Sequence, residues 1–167
     1  PVRYAALLYG GDRFESRDRL LALVTDHDLV ILDRYVASNI AYNAAKVPGH
    51  EQADLITWID QLEFGMFDLP RPDLTLLLAT STALADRLVG EKAARSYTDQ
   101  TRDMHEANRG YLDQVAYVYG QLAAAGGDSW LTVDPTDSSG NLRPPDDIAA
   151  GIWLHPRLAG LGHIRST

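Results

Sequence analysis

No cysteine occurs in the 167 residues, so disulfide frameworks and thiolate metal sites are excluded. That absence fits a cytosolic setting. No apolar run approaches the roughly 18 residues that a membrane helix needs, and the first residues carry no basic-apolar-small signal pattern. The expectation is a cytoplasmic protein with no membrane partner. Basic residues are scarce too: 15 Lys and Arg stand against 23 Asp and Glu, a formal net charge of −8. A grip on DNA or RNA needs a field of Lys and Arg to displace counterions, so no nucleic-acid polymer is expected as a partner. A small anionic ligand is another matter, because two or three well-placed arginines hold a phosphate locally. No GxSxG or Cys/His nucleophile pattern is present, and His27, His50, His105, His155 and His163 show no metal-ligand spacing.

What is present is an ordinary globular composition, 46% apolar and 23% charged. Tyr4 to Val24 reads as a helix in which Gly10-Gly11 is unfavourable: either the helix bends there or something approaches its backbone closely. Leu29–Leu32 and Leu74–Ala79 are short continuous apolar runs, as in strands buried on both faces, and Trp130–Val133 is a third strand. Ser38 is placed to cap a helix over 39–46. Glu51 to Asp68 has Leu55, Ile59, Leu62 and Met66 at spacings of three and four, an amphipathic helix that "LPRPD" stops. Ser81 or Thr82 opens a short helix, residues 90–101 form a polar mobile segment, and 103–125 is a long helix ending on Gly126-Gly127. A last helix, 146–154, follows Pro144-Pro145. Alternating strands and helices argue for an α/β fold, a parallel sheet sandwiched by helices. Ligands in such folds bind beyond the carboxyl ends of the strands.

The segment "LVILDRYVASNIAY", residues 29–42, therefore draws attention. An apolar run ends on Asp33-Arg34-Tyr35, where a site is expected. A carboxylate there can serve Mg²⁺ in phosphoryl transfer or simply cap a helix. Arg34 can grip a phosphate with two hydrogen bonds or form a surface ion pair. Asn39 and Tyr42 share a helix face; an amide can read a base edge and a phenol can pack on a sugar. Tyr9, Asp12 and Arg13 lie about a turn apart, an arrangement able to stack on and hydrogen-bond a base. Arg87, Arg95, Arg102 and Arg109 flank or lie in the polar segment, from which an arginine could reach a transferring phosphate; a solvated face is the plainer role, above all for Arg102 and Arg109.

These segments together resemble thymidylate kinases, which phosphorylate dTMP. The carriers are "LVILDRYVASNIAY", "ALLYGGDR" (6–13), "LPRPDLTLLLAT" and "RSYTDQTRDMHEANRGYLDQV". The resemblance implies a P-loop nucleoside-monophosphate-kinase-like fold, with a core over 1–155, a lid at about 90–101 and a C-terminal tail, 156–167. It implies ATP as phosphate donor, Mg²⁺ as cofactor, dTMP as acceptor, and a homodimer, for which the first helix and helix 51–68 offer apolar surface. By the same resemblance Asp33 organises Mg²⁺ and phosphates, and Arg34 bridges the acceptor phosphate. Tyr9 stacks on thymine, Arg13 reaches a thymine carbonyl, Asn39 reads the base and Tyr42 lies under the deoxyribose. Arg95 and Tyr97 lie in the lid, Arg87 lies along the ATP adenine, and Thr98 stands where an acid is common.

One family element is missing from these residues. The family's first strand and its GxxxxGK[ST] loop, whose backbone N–H groups wrap the ATP phosphates, have no counterpart here; "GGDRFES" lacks the glycine-lysine pair. In the family that strand lies between those here at 29–32 and 74–79. Each buried N–H or C=O left unpaired costs about 1–3 kcal/mol, against a total stability of about 5–15 kcal/mol. The expectation is a parent protein with an N-terminal segment carrying the loop. The alternatives are a non-catalytic dTMP-binding relative and a kinase of another deoxynucleotide or deoxynucleoside.

Overall fold

A computed structural model describes residues 1–81, 84–85 and 102–159, apart from the side chains of 102–108 and 159. It is helix-rich with a small parallel sheet, and it divides into two compact units.

The first unit comprises Pro1–Asp73 and Tyr117–Leu122. Its helices are α1 (Val2–Glu15), α2 (Arg17–Asp26), α3 (Val36–Ala44) and α4 (Gly49–Asp60), the last running on as a π-helical turn, Gln61–Met66. The single helix expected over 4–24 is thus two, and the break falls at Ser16 instead of at the glycine pair. Gly10 stays helical and buried because another segment crosses it: a Cβ there would lie 3.1 Å from Phe67 Cε2 and 3.4 Å from Glu63 Cγ. Of the two readings of Gly10-Gly11, close approach is therefore the one realised. α3 starts at Val36, ahead of the helix expected behind Ser38, with Tyr35 at its N-cap position. Ala41 and Ala44 are fully buried, small enough for neighbouring helices to come close. The core joins Ala6 of α1, Val36 and Ile40 of α3, Leu55 and Ile59 of α4, and Leu69.

The amphipathic stripe of α4 holds through Leu55, Ile59 and Leu62, but Met66 is 78% exposed. The π turn explains this. Phe67 N donates to Leu62 O at 2.9 Å, an i→i+5 bond. Such a turn takes more residues per revolution than an α-helix, so Met66 falls behind the stripe, while Glu63, four residues after Ile59, stays on the buried face. Asp68 then adopts a left-handed backbone (φ 49°), and the Arg17 side chain fastens α2 to it, donating from Nε to Asp68 O at 2.9 Å and from Nη2 to the Asp68 carboxylate.

Leu29–Leu32 departs from the strand expected there. The segment has no strand partner among the described residues, and Ile31 is 79% exposed. Its apolar run lacks the neighbouring backbone that makes a strand.

The second unit comprises Leu74–Ala116 and Ala123–Thr167. In it β1 (Thr75–Leu78) pairs in parallel with β2 (Trp130–Val133), Thr75 opposite Trp130 and Leu78 opposite Val133. Parallel neighbours need a long crossover, here including the long helix α5 (Arg102–Gly126). Ser81 acts as the expected cap, its Oγ accepting from Leu84 N at 3.2 Å. At the end of α5 the Trp130 ring folds back on Gly126, where a Cβ would stand 2.1 Å from Trp130 Cδ1; only glycine fits. After β2, Asp137 Oδ1 accepts from Ser139 N (2.8 Å) and Asn141 N (2.9 Å) to shape a turn. α6 (Pro145–Trp153) opens with proline in its first turn and Asp146 and Asp147 beside it, a favourable charge for a helix N-terminus. α7 is Pro156–Ala159. Among the described residues no helix is long and apolar enough to cross a membrane.

Candidate functional site

The first unit brings together most of the residues singled out from the sequence. At its centre is one that was not: Glu63, whose carboxylate is 0% exposed. Arg13 donates to it twice, Nε to Oε2 at 2.5 Å and Nη2 to Oε1 at 2.6 Å. Asn39 Nδ2 donates to the same Oε1 at 2.6 Å and to Ala6 O at 2.9 Å. Asn43 Nδ2 in turn donates to Asn39 Oδ1 at 2.7 Å and to Asn39 O at 3.0 Å. A buried charge needs a partner and hydrogen bonds, and Glu63 has both, from residues 50 and 24 positions away in sequence.

The network fixes what each group has left to offer. Asn39 is 5% exposed, with both amide hydrogens engaged and one oxygen lone pair to spare. Arg13 gives its Nε/Nη2 edge to Glu63, while its side chain keeps 20% exposure; the Nη1 edge retains its donors. Tyr9, on α1 with Arg13, is exposed, as is Asp12.

A second cluster lies at the start of α3. Arg34 has φ 64°, a left-handed backbone that strains a residue with a Cβ. Its guanidinium carbon sits 5.3 Å from the centre of the Tyr42 ring. A hydrogen bond to Tyr42, followed by charge interaction with Tyr42, raises the Arg34 pKa further against a small desolvation effect. Tyr119 completes this cluster: its hydroxyl is hydrogen-bonded to Ser38 Oγ at 2.7 Å, and burial raises its pKa. Asp33 is exposed next to Arg34, and its carboxylate has no hydrogen-bond or ion-pair partner among the described residues. Tyr35 bridges the clusters. Its hydroxyl donates to Pro70 O at 3.1 Å, and its pKa is pushed up to about 12, chiefly by burial, then by the Glu63 charge, with Arg13 opposing.

Arg87, Arg95, Tyr97 and Thr98, with the lid segment 90–101, lie outside the described residues, as does the tail beyond 159. Glu63 and Tyr119 are not among the residues that the sequence marks. Glu63 does leave a trace, an acid four residues after Ile59 within an apolar stripe; Tyr119 leaves none that separates it from the other seven tyrosines.

Among the described residues no three His, Asp or Glu side chains cluster so as to hold a metal. Asp33 offers a single hard oxygen donor group. That is a suitable fit for Mg²⁺, which takes one or two carboxylates together with phosphates and water.

The chain matches known proteins along most of its length. The family model described as Thymidylate kinase covers residues 2–143. Thymidylate kinase of Mycobacterium tuberculosis (strain H37Rv) is 37% identical over 146 residues, 84% of this chain and 68% of the relative. Thymidylate kinase of Dictyostelium discoideum is 34% identical over 91 residues, 54% of this chain and 36% of the relative. The extent of the family match, together with a relative of that identity and coverage, places this chain in the thymidylate kinase family, a family of phosphate-transferring enzymes.

Proposed function

We propose that the protein acts on dTMP, transferring the γ-phosphate of ATP to its 5′-phosphate to give dTDP. The observation that carries this reading is the pairing of two clusters within one unit: Arg13 and Asn39 held by Glu63, and Arg34 set against Tyr42. The first suits a thymine edge. The Nη1 donors of Arg13 face a C4 carbonyl, the free lone pair of Asn39 Oδ1 accepts from N3–H, and Tyr9 offers a ring to stack on. The second suits the deoxyribose phosphate, with Tyr42 under the sugar and the Arg34 guanidinium on the phosphate oxygens.

Transfer asks little covalent chemistry of the protein; alignment and charge neutralisation dominate. An oxygen of the acceptor phosphate forms the new bond to Pγ as the bond from Pγ to the β,γ-bridging oxygen breaks, and ADP departs. Arg34 steadies the acceptor oxygens, and Arg95, in the lid at 90–101, serves the transferring group. Tyr97 contributes to the dTMP site and Arg87 lies along the adenine. Mg²⁺, when bound, would neutralise phosphate charge, with Asp33 as its carboxylate. We place the core at 1–155, the tail at 156–167, and a second copy of the chain as partner, with the exposed apolar side chains of α1 as available surface; sedimentation tests the dimer. A cytoplasmic setting accords with the lack of cysteine.

A second reading is a dTMP-binding relative that retains the acceptor pocket without the donor loop. Calorimetric titration with dTMP and with ATP, followed by an assay for dTDP in the presence of Mg²⁺, separates the two. Binding of both nucleotides with dTDP formed supports the kinase. Binding of dTMP alone supports the second reading. If a folded chain fails to bind dTMP, both fall.

A further inference from the structure

Glu63 has no part in the phosphoryl transfer proposed for this site, yet it is the most completely enclosed ionisable side chain among the described residues. Stability is a poor account of it, since a buried ion pair is often replaced by apolar side chains with no loss. Its connections are more telling. Three charge-assisted hydrogen bonds reach its two oxygens, and every one comes from a side chain assigned to the thymine edge. Those side chains stand on separate helices, Arg13 on α1 and Asn39 on α3.

We infer that Glu63 is a positioning residue for base recognition, orienting Arg13 and Asn39 together toward the N3/C4 edge of a pyrimidine that carries a C4 carbonyl. This rests on the dTMP-binding reading above. A guanidinium is planar, and its donors form a rigid fork. Clamping Nε and Nη2 on a fixed carboxylate leaves Nη1 aimed along one line. The same carboxylate takes one hydrogen of the Asn39 amide, and Ala6 O takes the other. The amide is thereby fixed with its oxygen as the remaining functional atom. An arginine donor and an asparagine acceptor suit the O4 acceptor and N3–H donor of thymine. They clash with the 4-amino donor and bare N3 acceptor of a cytosine.

Two features support a dedicated arrangement. The carboxylate sits within the π turn, a form of helix concentrated at functional sites. And Gly10 leaves room above it: a Cβ at that residue would lie 3.4 Å from Glu63 Cγ.

The test compares dTMP with 5-methyl-dCMP, which differs only at the N3/C4 edge, and uses 2-deoxyribose 5-phosphate as a probe of the phosphate site alone. Calorimetry on the full chain and on Glu63→Gln, with circular dichroism to verify folding, reads the selectivity ratio. The expected result is a wild-type preference for dTMP that falls by about tenfold, equivalent to about 1.4 kcal/mol, in Glu63→Gln. Affinity for deoxyribose 5-phosphate stays unchanged, which a general loss of structure would not give. An unchanged ratio in a folded variant overturns the inference and leaves the dTMP reading intact. A wild-type chain with no preference for dTMP overturns both.

Should Glu63→Gln fail to fold, ¹⁵N spectra of the wild-type arginine side chains decide, with the Arg13 signals assigned by their loss in Arg13→Lys. The Nε–H of Arg13 is expected to stay protected from solvent exchange throughout, while Nη1 shifts with dTMP and not with 5-methyl-dCMP. Release of Nε–H on adding dTMP, or an Nη1 signal indifferent to the base, overturns the inference.

Discussion

Arg34 holds its guanidinium over the ring of Tyr42, 5.3 Å from the ring centre, from a backbone in the left-handed region at φ 64°. Strain and the proposed phosphate contact are thus concentrated in one residue, and substitution can separate them. In Arg34→Gly the removed left-handed strain, about 1–2 kcal/mol, is offset by the lost ring contact, about 0.5–1 kcal/mol, and by glycine's greater unfolded-state freedom, about 0.5–1 kcal/mol. Thermal unfolding is expected to change by no more than about 1 kcal/mol. Affinity for dTMP is expected to drop about 10–100-fold, the worth of about 1.5–3 kcal/mol for hydrogen bonds to a charged group. Unchanged affinity in calorimetry would remove Arg34 from the phosphate site.

The two adjacent glycines of α1 should respond in opposite directions to the same change. At Gly11 a Cβ would meet nothing within 4 Å, so Gly11→Ala is expected to stabilise by up to about 1 kcal/mol through helix propensity. Gly10→Ala gains the same propensity but drives a methyl against Phe67 and Glu63, and overpacking of that kind costs about 1–3 kcal/mol. Urea unfolding of both variants checks the contrast; equal shifts would mean that α1 does not lie against the π turn in solution.

Removing one member of a buried ion pair leaves the other uncompensated. Arg13→Met is therefore expected to destabilise the first unit by about 3–5 kcal/mol. The double variant Arg13→Met/Glu63→Leu should recover much of that loss. A denaturant series on the two proteins checks the recovery; a double variant no more stable than Arg13→Met would argue against charge burial as the cause.

Tyr35 makes the fold sensitive to alkali. Its pKa is raised from the ordinary value of 10.0 to about 12, so the native state holds its proton more tightly than the unfolded chain does. The stability linked to it is complete below pH 10 and is lost as pH rises through about 12. Ultraviolet titration should show late-ionising tyrosines, since Tyr119 is raised as well, and one of them should disappear in Tyr35→Phe; that variant should lose less stability between pH 10 and 12. A late titration unchanged by Tyr35→Phe would rule Tyr35 out as a late group.

Local signals are legible in the sequence where local physics decides. β2 can be read over its full range because a glycine pair and a turn-forming acid bound a short apolar run, and Gly126-Gly127 sets the stop of α5. Leu29–Leu32 misleads because strand status depends on a neighbouring backbone and not on apolar residues alone. The break at Ser16 is hidden, since no proline or glycine marks it. For the site, the spacing of Arg13, Asn39 and Tyr42 is visible, and so is the DRY segment. Glu63 shows only as an acid within an apolar stripe, because the partners that make it central lie 50 and 24 residues away.

That turn has a bearing on how the chain tolerates change. A π turn is the form an α-helix takes when it carries one residue beyond its regular repeat. Shortening 61–66 by one residue would let the helix regularise and would lose the wide turn that sets Glu63 and Phe67 together against Gly10. The stretch is thus intolerant of a change in length even at points where a change in side chain would be accepted, and insertions or deletions there would be filtered far more severely than substitutions on the exposed face of the same helix.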